Sequence, residues 1–436
     1  MLERLFNPKT VALVGASNKE GKIGNTIMMN LLHYHADRTI YPININEQEV
    51  LGKKAYSKIY DIPEKELDLA IISVPKDFVI DVIKDAGKKK TKFAIIISSG
   101  FKEAGDLKAE EELIKIAKKN KVRIVGPNVL GMFDNYSKLD CIFLPLAMQK
   151  RPKPGNISLV SQSGTVGAIL VNEYYKAHIG LDKFVSYGNS SDLNECDFLE
   201  YLAKDDNTKI IASYVEEIID GKRFINIVKK YKKPLIILKA GKGKKGSQSI
   251  QSHTGNLAGD YSVYKGLFKQ FGIINADNID ELVNFSKAML LRKIKNVTII
   301  TNGGGYGILL SDALEQNKIP ILDFSDSMLA KLKKELVFGA GVKNPIDLMG
   351  DASAERYLQA IKLTESVTDT YIIILLGQTT AINKEGVMQL SNALKSMTKN
   401  VVFISTMDSY TEILEKDFLV FEFPEQLAKA LSVNVK

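Results

Sequence analysis

The sequence predicts an α/β protein of three consecutive doubly wound domains, and three observations carry that prediction. Short apolar runs alternate with longer amphipathic stretches along the whole chain. Three of those runs open directly into glycine- or serine-rich turns that begin a helix. At 436 residues the chain exceeds what one core organises. Buried apolar strands alternating with helices imply parallel sheets covered on both faces.

Taken in order, the first series of strands is predicted over 10–15, 39–43, 69–74, 93–97 and 123–125. A second series covers 157–160, 183–185, 210–214, 235–238 and 272–274. A third covers 297–301, 371–376, 401–404 and 420–421. Helices are predicted to follow the three special turns over 25–32, 166–175 and 308–315. Residues 134–154 break the alternation and carry Pro145, Pro152 and Pro154, so they read as a linker. The run Leu291-Arg-Lys-Ile-Lys-Asn296 closes a long helix before a new strand. The domains are therefore expected at 1–135, 136–292 and 293–436.

Composition narrows the function. An apolar content of 45% with 25% charged residues fits a globular protein. No apolar run approaches the ~18 residues that cross a bilayer, so no membrane role is expected. The segment Met1-Leu-Glu-Arg-Leu-Phe6 lacks a signal-peptide core and runs almost directly into a strand. Cys141 and Cys196 are too few for a disulfide framework or a zinc cluster, which fits a reducing cytoplasm and no metal centre. The net charge of +8 comes mostly from lysines spread along helices, such as Lys88-Lys-Lys90 and Lys118-Lys119. No basic block is interleaved with aromatics, which argues against nucleic acid. The scattered charge reads as a solvated face that also attracts a polyanionic ligand.

Four motifs carry chemistry. Val11-Ala-Leu-Val-Gly15-Ala-Ser17 leads through Gly21, Lys22 and Gly24 into a helix. Such a strand–glycine–helix turn admits phosphates to free backbone N–H groups, although a plain tight turn would look the same. Further loops fall at strand ends at Ser73-Val74-Pro75, Ser98-Ser99-Gly100 and Gly126-Pro-Asn128, where doubly wound sheets bind ligands. Ser161-Gln-Ser163-Gly164 can hold a phosphoryl group through hydroxyls and N–H groups. Gly303-Gly304-Gly305 costs backbone entropy, which close approach of a ligand explains. His253 stands in a small polar stretch bounded by Gly246 and Gly255, read as a mobile loop. Alone it is a solvated histidine. Beside three phosphate-type turns it suggests a group that is modified and then moved.

At these residues the chain resembles the NDP-forming acyl-CoA synthetases, the superfamily of succinyl-CoA synthetase. Within it the chain looks most like the α subunit of ADP-forming acetate–CoA ligases. The matching runs are VGASNKEGKIG at 14–24, GPNVLG at 126–131, SQSGTVG at 161–167 and SYGNSSD at 186–192. They continue with YVEEIIDG at 214–221, KAGKGKKGSQSIQSHTG at 239–255, TNGGGYG at 301–307 and NPIDLMGDA at 344–352. Their order and spacing span essentially the whole chain.

The resemblance implies a Rossmann-like CoA-binding domain followed by two flavodoxin-like domains. It implies that His253 is phosphorylated and that Glu216 orients it, with Glu217 a weaker candidate. Ser161, Ser163 and Gly164 would bind phosphate at one helix N-terminus, and Gly303, Gly304 and Gly305 at another. Gly15, Ala16, Ser17 and Lys22 would grip CoA phosphates, and Ser73, Val74 and Pro75 would line the adenine end. Ser98, Ser99, Gly100 and Glu103 would follow the pantetheine arm. Asn128 would lie near the thioester and Asn189 near the acyl group. A separate ATP-grasp β subunit, carrying Mg with ADP or ATP in an α2β2 assembly, would complete the enzyme.

Two departures accompany the resemblance. The family often has Asn-Pro-Lys after its second strand, where this chain has Asn44-Ile45-Asn46. Its GPN-Cys motif reads Gly126-Pro-Asn-Val129 here. Two rival functions remain on the sequence. One is a catalytically inactive CoA-binding or acyl-CoA-sensing regulator, against which the intact SHTG run and Glu216 stand. The other is an NAD-dependent oxidoreductase, which wants an acidic residue after the second strand; Glu47 is near but displaced.

Overall fold

The computed structural model describes residues 2–34, 37–254, 260–377 and 381–436, with the side chains of 251–254 outside that description. The chain divides into two compact units, Met1–Leu282 and Val283–Lys436.

The first unit holds two large sheets. Strands β1 (Thr10–Val14), β2 (Thr39–Ile43), β5 (Leu69–Ile72), β6 (Phe93–Ile96) and β7 (Arg123–Val125) form a parallel sheet in the order β2-β1-β5-β6-β7. Between them β3 (Glu49–Val50) and β4 (Lys53–Lys54) make a small hairpin. Its turn residues Leu51 and Gly52 both have positive φ, as a two-residue hairpin turn requires. Successive residues of β1 feed opposite cores: Val11 and Leu13 pack with Ile27 and Leu31, whereas Ala12 and Val14 belong with Val79 and Ile83. This two-sided burial makes the strand an unbroken apolar run. The chain leaves β1 for β2 on one side and continues through β5 on the other, so β1 is the switch point where a crevice opens at the strand ends.

The second sheet contains β8 (Met132–Asp134), β9 (Leu139–Asp140), β10 (Pro154–Ser161), β11 (Leu181–Ser186), β12 (Ile210–Val215), β13 (Leu235–Lys239) and β14 (Ile274–Ala276). Their order is β14-β13-β12-β10-β11-β8-β9. The expected linker at 134–154 is corrected here. Its first part completes an antiparallel edge, with β8 pairing with β11 and β9 with β8. Arg151 then reaches back to Asp140 at 3.0 Å, both side chains buried. Prolines hid this segment because its strands are only two or three residues long.

The second unit is one parallel sheet of β15 (Val297–Thr301), β16 (Ile346–Asp347), β17 (Thr370–Leu375), β18 (Asn400–Ser405) and β19 (Leu419–Phe421), ordered β16-β15-β17-β18-β19. Ile372 and Ile374 enter one core and Tyr371, Ile373 and Leu375 the other. Strand β16 was not foreseen, since two residues carry no periodicity. The strand expected at 272–274 begins at Ile274, because Gly272 ends the helix Tyr261–Phe271 in a left-handed conformation.

A further correction concerns 244–254. The stretch read as a loop is the helix Lys244–Thr254, and His253 lies on its last turn. Ile250 is its one buried apolar anchor among the described side chains, too little to announce a helix by periodicity. No described helix is long and apolar enough to cross a membrane.

Candidate functional site

Two cavities open at the strand ends of the first unit, and the sequence-predicted residues divide between them. The first, of about 680 Å³, lies at the β1 switch point and is lined by Gly15, Asn44, Ile45, Asn46, Val74 and Pro75 among others. Gly15 has φ +88°, and a β-carbon there would stand 2.6 Å from the Ser73 carbonyl oxygen. The β1 turn and the Ser73 loop are thus pressed together by the absence of a side chain. Ser98 ties the next loop in by donating to the Val74 carbonyl. Lys22 sits exposed at the N-cap of the helix Ile23–His33.

The turn after β1 is already bonded internally. Asn44 Nδ2 donates to the Ala16 carbonyl at 2.7 Å, and Asn25 Nδ2 donates to that of Ser17 at 3.0 Å. Glu47 accepts from the Ser17 hydroxyl at 3.4 Å and from the Asn18 backbone N–H at 3.3 Å. Asn44, which opens the Asn44-Ile45-Asn46 segment, therefore braces the turn. Lys58, Lys84 and Lys88 line the same cavity together with Asp81 and Asp85, Lys84 pairing with Asp81 at 2.8 Å; of the three lysines only Lys88 stood in a run named from the sequence. They lie on a loop and a helix face, where a motif has no way to mark them.

The second cavity, of about 500 Å³, gathers Ser99, Asn128, Ser163, Gly164, Asn189 and Glu216 from five separate segments. Ser163 caps the helix Gly164–Lys176 by accepting from the Val166 N–H at 3.3 Å. The N–H groups of Gly164 and Thr165, in the first turn, have no intrahelical partner by geometry and sit at the cavity. Ser161 is fully buried and donates to the Ser163 carbonyl at 2.6 Å, so it shapes the turn from beneath. Ile97, Val129, Leu130, Phe143, Leu144 and Ala168 give the cavity an apolar wall.

Loop interlocking fixes Asn128 and Asn189. Gly188 has φ +53°, and a β-carbon there would lie 2.3 Å from the Asn128 carbonyl oxygen. Asn128 Nδ2 donates to Asn189 Oδ1 at 3.3 Å. Asn189 Nδ2 in turn donates to Glu103 at 2.5 Å and to Glu110 at 2.8 Å. Glu103 also accepts from the Gly100 and Phe101 N–H groups, so it braces its own loop. Glu110, buried and undetected in the sequence, anchors the whole network from the helix Leu107–Lys119.

Glu216 follows the last residue of β12, with its Oε1 accepting from the Tyr214 hydroxyl at 3.4 Å. Lys239, at the end of β13, is buried and donates to the Glu216 carbonyl at 2.6 Å. Burial pushes its ammonium pKa down to about 8, against the opposing pull of Glu216 and Glu217. The helix Lys244–Thr254 approaches the short turn Lys102–Ala104, and Lys102 lines this cavity. The side chain of His253 lies outside the described residues.

In the second unit Gly303 caps the helix Gly304–Gln316. A β-carbon on Gly303 would meet Leu376 at 2.3 Å, and one on Gly304 would meet Asp347 at 2.5 Å. Only Gly305 of the three has open space beside it. Internal packing accounts for two of these glycines. Among the described residues no cluster of His, Cys, Asp and Glu is arranged to hold a metal.

A Rossmann-like sheet with a crevice at its switch point, joined to a mixed α/β sheet with a capped serine turn, defines a doubly wound α/β protein of the phosphate-ligand-binding class. Family models match accordingly: a CoA binding domain over 9–134, a succinyl-CoA ligase like flavodoxin domain over 154–289 and a ligase-CoA domain over 297–398. The α subunit of acetate–CoA ligase [ADP-forming] II from Pyrococcus furiosus is 38% identical over 99% of this chain and 96% of its own length. Acetate–CoA ligase [ADP-forming] I from Archaeoglobus fulgidus is 41% identical over 87% of this chain, which spans 55% of that longer relative. Among solved structures, the dinucleotide-forming acetyl-coenzyme A synthetase 1 of Ca. Korarchaeum cryptofilum, in complex with phosphate and ADP, superposes with a TM-score of 0.92. It is 35% identical, and the match covers 99% of this chain and 96% of that one. The chain belongs to the ADP-forming acetate–CoA ligase family of acid–thiol ligases and is of the α-subunit type.

Proposed function

We propose that this chain converts acyl-CoA and phosphate to acid, CoA and a phosphohistidine at His253, reversibly and in the cytoplasm. The convergence of Asn128, Ser163, Gly164, Asn189 and Glu216 on one cavity supports this reading most strongly. A phosphate oxygen attacks the thioester carbonyl carbon, the C–S bond breaks, and CoA leaves as the thiol. Bound at the Ser163 turn, the acyl phosphate then meets the His253 imidazole. A ring nitrogen attacks phosphorus, the P–O bond to the acyl group breaks, and the carboxylate departs. Neutral imidazole is nucleophilic near pH 7, and its phosphoramidate is a competent phosphoryl donor. Glu216 orients the ring, with Glu217 beside it.

In this reading residues 1–135 bind CoA, 136–292 carry the phosphohistidine, and 293–436 support it through Gly303, Gly304 and Gly305. Gly15, Ala16, Ser17 and Lys22 hold the CoA phosphates, with Ser73, Val74 and Pro75 at the adenine. Ser98, Ser99 and Gly100 follow the pantetheine arm. An ATP-grasp partner binds magnesium and nucleotide, and an α2β2 assembly joins the two. Incubation with labelled phosphate and acetyl-CoA tests the centre of the proposal. The expected product is an acid-labile, base-stable label that is absent from His253→Ala; label retained in that variant overturns the assignment.

A further inference from the structure

Strand β12 ends at Val215, and the next residue, Glu216, is held from both sides. Toward β10, Gln162 Oε1 accepts from the N–H of Glu216 at 2.8 Å and from that of Glu217 at 3.1 Å. Toward β13, Lys239 Nζ donates to the carbonyls of Glu216 and Ala240, each at 2.6 Å. The backbone ladder does not need these bonds: Val215 already pairs with Lys239, and the Gln162 N–H already donates to the Tyr214 carbonyl. Gln162 and Lys239 are both buried, at 7% and 1% exposure. A buried ammonium is costly unless its donors are satisfied. Here it is held by two carbonyls and the face of Tyr264, whose ring centre is 4.6 Å away. Two polar side chains from flanking strands thus grip one peptide unit where the ladder stops.

We propose that Gln162 and Lys239 are positioning residues that fix the Glu216 backbone and so aim its carboxylate for phosphoryl transfer. The inference rests on the reading in which Glu216 serves His253. A loop carboxylate left to itself samples many positions, whereas both ends of this peptide are fixed before any ligand arrives. Gln162 also lines the second cavity, so an effect on turnover without one on acyl-CoA binding is what marks a positioning role.

The test measures the initial rate of phosphoenzyme formation from labelled phosphate and acetyl-CoA in the full chain. Gln162→Met, which removes the acceptor, should lower the saturated rate about tenfold while the KM for acetyl-CoA stays within about twofold. Gln162→Glu keeps an acceptor oxygen and should recover most of the rate. Lys239→Met should behave like Gln162→Met. Combining Gln162→Met with Glu216→Gln should be no slower than Glu216→Gln alone, because one residue acts through the other. A normal rate in Gln162→Met overturns the proposal, as does a loss that Gln162→Glu fails to rescue or a fully additive double variant. If Lys239→Met does not fold, the Gln162 pair still decides. Amide exchange at Glu216 reads the grip separately and should speed up in Gln162→Met. A wild-type chain that takes no label sinks the phosphohistidine reading instead, and faster exchange would then mark a grip with no phosphoryl role, which overturns the inference too.

Discussion

Asn189 donates from Nδ2 to Oε2 of Glu110 at 2.8 Å, joining the loop after β11 to a helix of the CoA-binding sheet. Glu110 also accepts from the Ser191 hydroxyl and, at 3.2 Å, from the Lys102 N–H. Glu110→Ala would leave these donors in a buried site without their acceptor. A loss of about 2 kcal/mol in unfolding free energy is expected, on the scale of an unsatisfied buried group. Denaturant titration measures it. The labelling rate should fall as well, because Asn128 is oriented through Asn189.

Gly24 makes the tightest approach at the turn after β1: a β-carbon there would lie 1.8 Å from the Gly15 carbonyl oxygen. That atom is backbone and has no side chain to swing away. Gly24→Ala must therefore push the helix Ile23–His33 off the turn, and CoA affinity should drop with it. Gly105→Ala, with φ +89° but nothing within 4 Å, serves as the control for left-handed strain alone. Calorimetry with CoA should separate the two. Equal affinity in both variants would show that the turn does not hold the ligand.

The turns at Gly15, Ser163 and Gly303 were legible because strand, small residue and helix follow one another in the chain, and their chemistry is local. Glu216 was named through the resemblance alone; a carboxylate after a strand has no local signature. Glu110, Gln162 and Lys239 were missed for a related reason. Glu110 lies on an amphipathic helix of many charges, and its partners are up to 81 residues away. Lys239 fell just beyond the strand expected at 235–238, yet it is one of the most buried side chains. The glycine run at 303–305 was read as one ligand-approach feature, but Leu376 and Asp347 account for two of its members. Such partners are fixed by tertiary packing: Gln162 and Lys239 stood inside quoted runs, but nothing local in those runs marked their contacts with Glu216.

Asp182 and Asp205 share Lys183 Nζ, at 2.9 Å and 2.7 Å, and the Thr208 hydroxyl. Burial raises the Asp182 pKa to about 6, with Asp205 contributing in the same direction. Asp205 is held below its ordinary value by its hydrogen bonds to Asp182, Lys183 and Thr208, which outweigh its own burial. Asp182 therefore keeps its proton in the folded chain and loses it in the unfolded chain between about pH 4 and pH 6. Its contribution to stability is full below the unfolded value and is lost as pH rises through about 6. Asp182→Asn imitates the protonated form and can still donate to Asp205. The melting temperature of this variant relative to wild type should rise from pH 4 to pH 7 and then level off. A difference that is flat across that range would remove Asp182 from the linkage.

ATP formation should require a second chain. The P. furiosus relatives that match this chain nearly end to end are α subunits, whereas the A. fulgidus relative extends well beyond the matched region. In the proposed function the motifs at 14–24, 161–167 and 239–255 serve CoA, phosphate and phosphohistidine, and none reads as a nucleotide fold. A Walker-type GxxxxGK[ST] run does not occur in the sequence. An ATP-grasp module adds roughly 200 residues on the usual scale of domains. The purified chain should therefore take label from phosphate and acetyl-CoA yet make no ATP from ADP and magnesium. Addition of an ATP-grasp β subunit should discharge the label to ADP. The His253→Ala chain should bind that subunit equally well but transfer nothing, which separates assembly from phosphoryl transfer. Sustained ATP synthesis by the isolated chain would refute the division of labour and place a nucleotide site within these 436 residues.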